Sequence, residues 1–203
     1  TGSFIQDLMI PANSSSRNNA KTDESRRRDY LFLDQSGLNA NRLSWKSATM
    51  PMVTYEENLL ILAETGLRTV NFNEGLLRLN NLRAYLSTAD AFAGDPGLTK
   101  LYEDYVAADF NGGGIENADS MTPDRALLRE IIEEKYVSMF GTLIPFDDVR
   151  RIRKTDNDIS LPIPINSGSS YPERFLIAQD EINGNSNAPS PIPDLFVKTP
   201  VNQ

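Results

Sequence analysis

Residues 122–141 read TPDRALLREIIEEKYVSMFG and carry the clearest structural signal in the chain. Apolar side chains recur every three to four residues along this stretch, which predicts an amphipathic α-helix. The apolar stripe consists of Leu127, Leu128, Ile131, Ile132, Tyr136, Met139 and Phe140. The Thr122-Pro123 pair is typical of a helix start, because proline fits the first helical position. Gly141 can end the helix, since glycine readily adopts the left-handed conformation.

Two more helices are predicted upstream, over residues 52–67 and residues 74–88. Asn73 is a plausible N-cap for the second, because its side chain can accept hydrogen bonds from the free amides of the first turn. Only a few residues separate the two helices, so they should pack as an antiparallel hairpin of tetratricopeptide-like size.

Shorter helices are expected elsewhere. The pair Asp95-Pro96 predicts a helix that carries Leu98, Leu101, Tyr102 and Tyr105. A short helix should follow the main one over residues 146–153, with Asp147 and Asp148 near its positive end.

These elements predict an all-α protein of tetratricopeptide-like helical hairpins, with long irregular loops and an extended carboxyl-terminal tail. At 203 residues we expect a single domain, residues 1–203. It would comprise a loop-rich region at 1–50, a helical core at 51–154 and an extended, packed tail at 155–203.

The remaining segments are expected to be irregular. Residues 11–29 have the pattern of a polar loop, and Arg26-Arg27-Arg28 within them is interpreted as solvated rather than as an anion site. Residues 30–33 predict a short strand or a packed extended segment. Leu161-Pro162-Ile163-Pro164 must be extended, because each proline disfavours helix in the residue before it.

Composition excludes several kinds of function. The net charge is −8, which argues against nucleic acid, because duplex binding needs a basic surface. The chain has no cysteine and no histidine, which excludes a Ser/His/Asp triad, a Cys/His dyad and a His- or Cys-ligated zinc site. The sequence contains no apolar run of the roughly 20 residues that a membrane span requires.

The carboxylates present no convincing catalytic or metal site. Adjacent residues on a helix point about 100° apart, so neighbouring acids are interpreted as solvated helix faces. The adjacent pairs are Glu133/Glu134, Asp147/Asp148 and Asp180/Glu181. Residues 109–114 begin like a calcium loop but lack its third oxygen ligand and closing glutamate. We therefore predict no enzyme activity, no cofactor and no metal.

Two aromatic residues are candidates for a ligand contact. Trp45 is the only tryptophan and lies in polar surroundings, and Tyr30 could act with it. A sugar ring presents a flat C–H surface that suits the negative face of an aromatic ring. The alternative, which we favour, is that Trp45 anchors its loop to the helices.

Three blocks of sequence carry a resemblance to a known family. The first is MVTYEENLLILAE at residues 52–64, followed by Asn81-Leu82-Arg83. The second spans residues 127–151 and ends in Asp148-Val149-Arg150-Arg151. The third is PERFLIAQDEINGNSN at residues 172–187. In this order and spacing, the blocks resemble the carboxyl-terminal part of the SusD/RagB family.

The resemblance implies a surface lipoprotein of the outer membrane in a Bacteroidetes-type bacterium. Such proteins bind oligosaccharides or peptides without catalysis and pass them to a SusC-like TonB-dependent transporter. Because the chain has neither a signal peptide nor a lipid-acceptor cysteine, we interpret it as a fragment. The alternatives are a helical-repeat module that binds a protein partner and an enzyme of unrecognised type.

The polar residues of the three blocks are expected to be architectural. A buried charge is costly unless it is paired, so these charges should tie helices to loops. The residues concerned are Glu57, Glu64, Arg83, Asp148, Arg150, Arg174, Glu181 and Asn183. In particular, residues 172–187 should hold the tail onto the helices, with Asn183, Asn185 and Asn187 bonding to backbone groups.

Overall fold

The computed structural model describes residues 3–32, 52–88, 91, 102–165 and 170–199. Within these ranges the regular structure is helical and contains no strand, which confirms the all-α prediction. The α-helices of these ranges are α1 (Phe4–Met9), α2 (Ser25–Phe32), α3 (Tyr55–Thr69), α4 (Phe72–Leu86), α5 (Pro123–Ser138), α6 (Ile144–Thr155) and α7 (Gln179–Gly184). Short 3₁₀ turns occupy Ala107–Phe110 and Asn157–Ile159.

The chain divides into two compact units, Thr1–Pro145 and Phe146–Gln203. Unit 1 contains α1 to α5, and unit 2 contains α7 and all but the first two residues of α6.

Helices α3 and α4 form the predicted hairpin. Thr54 caps α3 by accepting from the Glu57 amide at 3.0 Å. The N-cap of α4 is Asn71, not the predicted Asn73, because the helix begins earlier, at Phe72. The tetratricopeptide-like repeat stays a prediction.

A glycine allows the two helices to approach closely. A Cβ placed on Gly75 of α4 would lie 2.6 Å from the Cβ of Leu67 on α3. Any side chain at Gly75 would therefore push the hairpin apart.

Helix α5 packs against the hairpin and completes the core of unit 1. The buried residues of this core are Leu59, Leu60, Ala63, Leu79, Leu82, Leu86, Tyr102, Tyr105, Phe110, Ala126, Leu127 and Ile131. A second, smaller cluster joins α1 and α2 to α5 through Ile5, Leu8, Met9, Leu31 and Val137. The predicted apolar stripe of residues 122–141 thus serves both clusters.

The prediction for the amino-terminal region was wrong in two places. Residues 25–32 form helix α2, where the sequence suggested a polar loop followed by a short strand or a packed extended segment. Arg26 and Arg27 are buried there and not solvated. For Arg27 the reason is tertiary, because Glu134 of α5 supplies a carboxylate that compensates its charge.

The pattern predicts a helix that carries Tyr102 and Tyr105, but neither residue lies on a helix. Tyr102 forms an isolated bridge with Thr22. The Asn80 side chain donates to the Tyr105 carbonyl at 2.9 Å and accepts from the Tyr105 amide at 3.0 Å. These contacts satisfy backbone groups that a helix would otherwise satisfy internally.

Unit 2 consists of α6, the following 3₁₀ turn, α7 and irregular segments. The Glu173 amide donates to the Leu195 carbonyl at 3.0 Å, which brings two distant segments side by side. None of the residues of α7 is buried.

Candidate functional site

One guanidinium in unit 1 is surrounded by four carboxylates. Arg17 donates to Glu24 at 2.9 Å, to Glu130 at 3.0 Å and to Glu133 at 3.0 Å. It also contacts Glu134. Its side chain is only 2% exposed, so these bonds compensate a buried charge.

A second guanidinium joins the same group. Arg27 donates to Glu134 at 2.7 Å and to Glu24 at 3.3 Å. The Tyr102 hydroxyl donates to Glu24 at 2.8 Å. We call the set of Arg17, Arg27, Glu24, Glu130, Glu133 and Glu134 the Arg17 cluster. Glu134 is fully buried, so the prediction of a solvated Glu133/Glu134 face was wrong.

The cluster separates the pKa values of its carboxyls. Burial raises the pKa of Glu130 well above its usual value, although Arg17 opposes this. Burial also raises the pKa of Glu133 against the same opposition. For Glu134, burial is outweighed by Arg27 and Arg17, and its pKa falls to about 2. Glu134 is therefore the carboxylate that most firmly remains charged.

A polar cavity of about 420 Å³ lies beside the cluster. Glu130 and Glu133 both line it, and both bond to Arg17. Because the guanidinium shares these carboxylates, we assign them to the framework of unit 1. The described residues contain no group of three or more acidic side chains that could hold a metal ion.

A second cavity of about 420 Å³ lies wholly within unit 2. We call it the unit 2 pocket. Helix α6 contributes Arg150, Arg153 and Lys154, and the tail contributes Lys198. Four cationic side chains therefore line one cavity in a protein whose net charge is −8.

Aromatic and hydrogen-bonding groups complete the unit 2 pocket. Tyr171 and Phe196 line it together with Asn157, Ser170 and Glu173. The Arg153 guanidinium lies over the Tyr171 ring, 4.2 Å from its centroid, and bonds to Glu173 at 3.4 Å. Phe196 is 47% exposed, so part of its ring is accessible to a ligand.

Of the two aromatic residues proposed from the sequence, Trp45 lies outside the described residues. Tyr30 is not among the residues that line the unit 2 pocket. Tyr30 is half-buried and packs against both apolar clusters of unit 1. Burial raises its pKa, and Glu56 adds to this effect. Their role in ligand binding stays a prediction.

The motif residues of α3 and α4 make framework contacts. Glu64 pairs with Arg68 at 2.9 Å and with Lys135 at 3.9 Å. Glu57 is half-buried, and its amide is the group that Thr54 caps.

Arg83 is fully buried and ties α4 to two segments of backbone. It donates to the Glu103 carbonyl at 2.7 Å and to the Lys21 carbonyl at 2.9 Å. Its guanidinium also lies 3.7 Å from the centroid of the Tyr105 ring.

The second-block charges of α6 pair locally. Asp148 accepts from Arg151 at 2.8 Å, one turn along the helix. Arg150 bonds to Asp147 at 3.3 Å and to the Thr199 hydroxyl at 3.3 Å, and it also lines the unit 2 pocket.

The third block makes two kinds of contact. Arg174 donates to the carbonyls of Val197 and Lys198 at 2.8 and 3.0 Å. Further on the bonds are local to α7: Asn183 accepts from Gln179 at 2.9 Å, and Glu181 accepts from Asn185. Among the described residues, the bonds from residues 172–187 to the tail beyond residue 194 come from Glu173 and Arg174, at the beginning of the block.

Sequence reasoning missed the Arg17 cluster, although a signal was present. Glu130 and Glu134 follow Leu127 at i+3 and i+7, which places them on the apolar face of α5. A charge on such a face indicates a buried partner.

Comparison with known proteins finds no matching family model, no matching curated protein and no matching solved structure. Among the helices of the described ranges, none combines the length and apolar character needed to cross a membrane.

Proposed function

We propose that this protein is a non-catalytic binding protein of the SusD/RagB type. It captures an oligosaccharide or a peptide at the outer-membrane surface and delivers it to a SusC-like TonB-dependent transporter. The class rests on the three sequence blocks, and the ligand half rests on one observation, the unit 2 pocket. Its volume of about 420 Å³ falls within the roughly 300–1,000 Å³ range of small-molecule sites.

The lining of the pocket suits a sugar. Phe196 offers an accessible aromatic face, and Asn157 and Ser170 offer hydrogen bonds to hydroxyl groups. Glu173 belongs to the third sequence block, so this block contributes to the pocket wall.

The contacts of unit 1 support a scaffold role. Glu24 and Glu134 are each shared between Arg17 and Arg27, and Arg83 holds backbone carbonyls. A rigid framework of this kind is compatible with a binding protein.

Glycan and peptide arrays probed with the full chain test the binding function. We expect a subset of oligosaccharides to bind, and we expect Phe196→Ala to weaken them. Phe175→Ala is a matched control, because Phe175 is also an exposed phenylalanine of unit 2 but does not line the pocket. Blank glycan and peptide arrays would refute the proposal.

Co-purification tests the partner. A tagged chain fused to an outer-membrane lipoprotein signal and expressed in a Bacteroidetes-type host should bring down a TonB-dependent transporter from the outer-membrane fraction. Recovery from that fraction without a transporter would contradict the partner.

A helical protein-interaction module is the second candidate. It is favoured by exposed apolar side chains on the α3–α4 hairpin, such as Ile61 at 44% and Leu77 at 52% exposure. Under this alternative, the unchanged protein would bind a protein partner and no glycan on the array. The Ile61→Asp variant would no longer bind that protein partner.

A further inference from the structure

The charge of the unit 2 pocket comes from two separate segments. The last turn of α6 supplies Arg153 and Lys154, and cations there also complement the helix dipole. Lys198 comes from the tail and converges on the same cavity. The dipole of α6 gives no reason for a lysine on the tail to face this cavity.

Among the described residues, one carboxylate lines the pocket against four cations. Glu173 pairs with Arg153, and Arg150 pairs with Asp147, whose side chain is 64% exposed. The Lys198 side chain makes no ion pair among the described residues. The described lining therefore carries more positive than negative charge, four cations against one carboxylate, which an anionic ligand would neutralise.

The aromatic, amide and hydroxyl groups of the lining favour a sugar over a peptide. Peptides are held at a sheet edge, in an apolar groove or, when they are acidic, by arginine clusters. The described part of unit 2 has no strand, and its pocket is lined by charged, amide, hydroxyl and aromatic groups. A sugar ring offers hydroxyls for Asn157 and Ser170 and a flat face for Phe196.

We infer that the unit 2 pocket binds the anionic group of an acidic oligosaccharide, a uronate or a sulfated sugar. This inference rests on the proposed function and names its ligand class. The guanidiniums of Arg150 and Arg153 present paired donors that suit a carboxylate or a sulfate. Lys198 adds a further positive charge to the lining.

Isothermal titration of the full chain with galacturonate oligosaccharides tests the charge requirement. The methyl-esterified oligosaccharide is the matched ligand, because it keeps the ring and loses the negative charge. We expect the acid to bind about tenfold or more tightly than the ester. Raising the salt concentration to about 0.5 M should weaken the binding of the acidic oligosaccharide and leave the binding of the ester unchanged.

Single substitutions test whether the charge that the acidic sugar requires lies in the unit 2 pocket. Lys198→Gln should weaken the acid about tenfold and leave the ester unchanged. Lys198 is exposed, so this variant should fold normally, which circular dichroism checks. Arg78→Gln is the control, because it also removes one cation but lies in unit 1, paired with Glu74.

Parallel titrations with other anions test whether the pocket requires an acidic sugar. They also distinguish a failure of this inference from a failure of the proposed function. A sulfated disaccharide is the second sugar arm, and binding of either acidic sugar with loss in Lys198→Gln supports the inference. Equal binding of acid and ester overturns it and leaves the proposed function standing. Binding of a Glu-Glu peptide or of free sulfate as tight as that of the acidic sugars would also overturn the inference and leave the proposed function standing. Blank glycan and peptide arrays defeat the proposed function itself, and the inference with it.

Discussion

Replacing Glu134 with glutamine removes the carboxylate that two buried guanidiniums share. Burial alone would raise the pKa of Glu134, but Arg27 and Arg17 outweigh it and lower the pKa from 4.5 to about 2. A difference of this size corresponds to roughly 3 kcal/mol of folding free energy at neutral pH. The cost of breaking a buried ion pair, about 3–5 kcal/mol, agrees with it. We expect Glu134→Gln to lose roughly 3 kcal/mol, out of about 5–15 kcal/mol for a typical domain.

The pH dependence follows from the direction of the pKa change. Because the folded pKa of Glu134 lies below the unfolded value, its stabilisation is complete above the unfolded pKa. It is lost as the pH falls from about 4.5 towards about 2. The difference in unfolding free energy between the wild type and Glu134→Gln should therefore shrink as the pH falls through this range. Urea unfolding followed by circular dichroism, at several pH values, measures it.

Glu130→Gln is the matched control, because Glu130 is a buried glutamate on the same helix and also bonds to Arg17. Burial raises its folded pKa, so the stabilisation that comes with its proton is complete below the unfolded pKa and fades as the pH rises. Glutamine resembles the protonated acid, and Glu130→Gln should gain stability relative to the wild type with rising pH. Equal losses for Glu130→Gln and Glu134→Gln at neutral pH, or a Glu134→Gln loss independent of pH, would refute the reasoning.

Three further variants test the framework. Arg17→Gln leaves its four carboxylates with less compensation, and we expect a loss of about 3–5 kcal/mol at neutral pH in urea unfolding; a loss below about 1 kcal/mol would contradict the cluster. Gly75→Val should destabilise the hairpin by at least about 2 kcal/mol, because its side chain would meet Leu67, and an unchanged melting temperature would show that the helices can separate freely. Arg174→Ala should increase amide hydrogen exchange at residues 195–198, since its two bonds to tail carbonyls are lost; unaltered exchange there would mean that other contacts hold the tail.

Parts of the unit 2 pocket were visible in the sequence and parts were not. Arg150 was singled out as an architectural residue, and it pairs with Asp147 while also lining the pocket. Phe196 and Lys198 carry no local signal of a pocket. Neither residue belongs to a periodic element, so no local pattern relates it to α6. Only the path of the tail brings them to Arg153.

The sequence by itself determined the helices whose apolar periodicity is strong. The stripe of residues 122–141 predicted α5, and the paired patterns upstream predicted α3 and α4. Helical periodicity is a local property, because side chains three and four residues apart share a face in any surroundings. The same locality explains why Gly141, at φ 88°, could be predicted as left-handed.

Only the tertiary structure decided which buried charges pair with each other. Arg27 and Glu134 are 107 residues apart. The position of Glu134 on the apolar face of α5 indicates a buried partner but does not say which residue it is. Arg27 and Glu134 are buried because each compensates the other, and neither would be stable in the core without its partner. This pairing depends on where α2 meets α5, which no local pattern of either segment specifies.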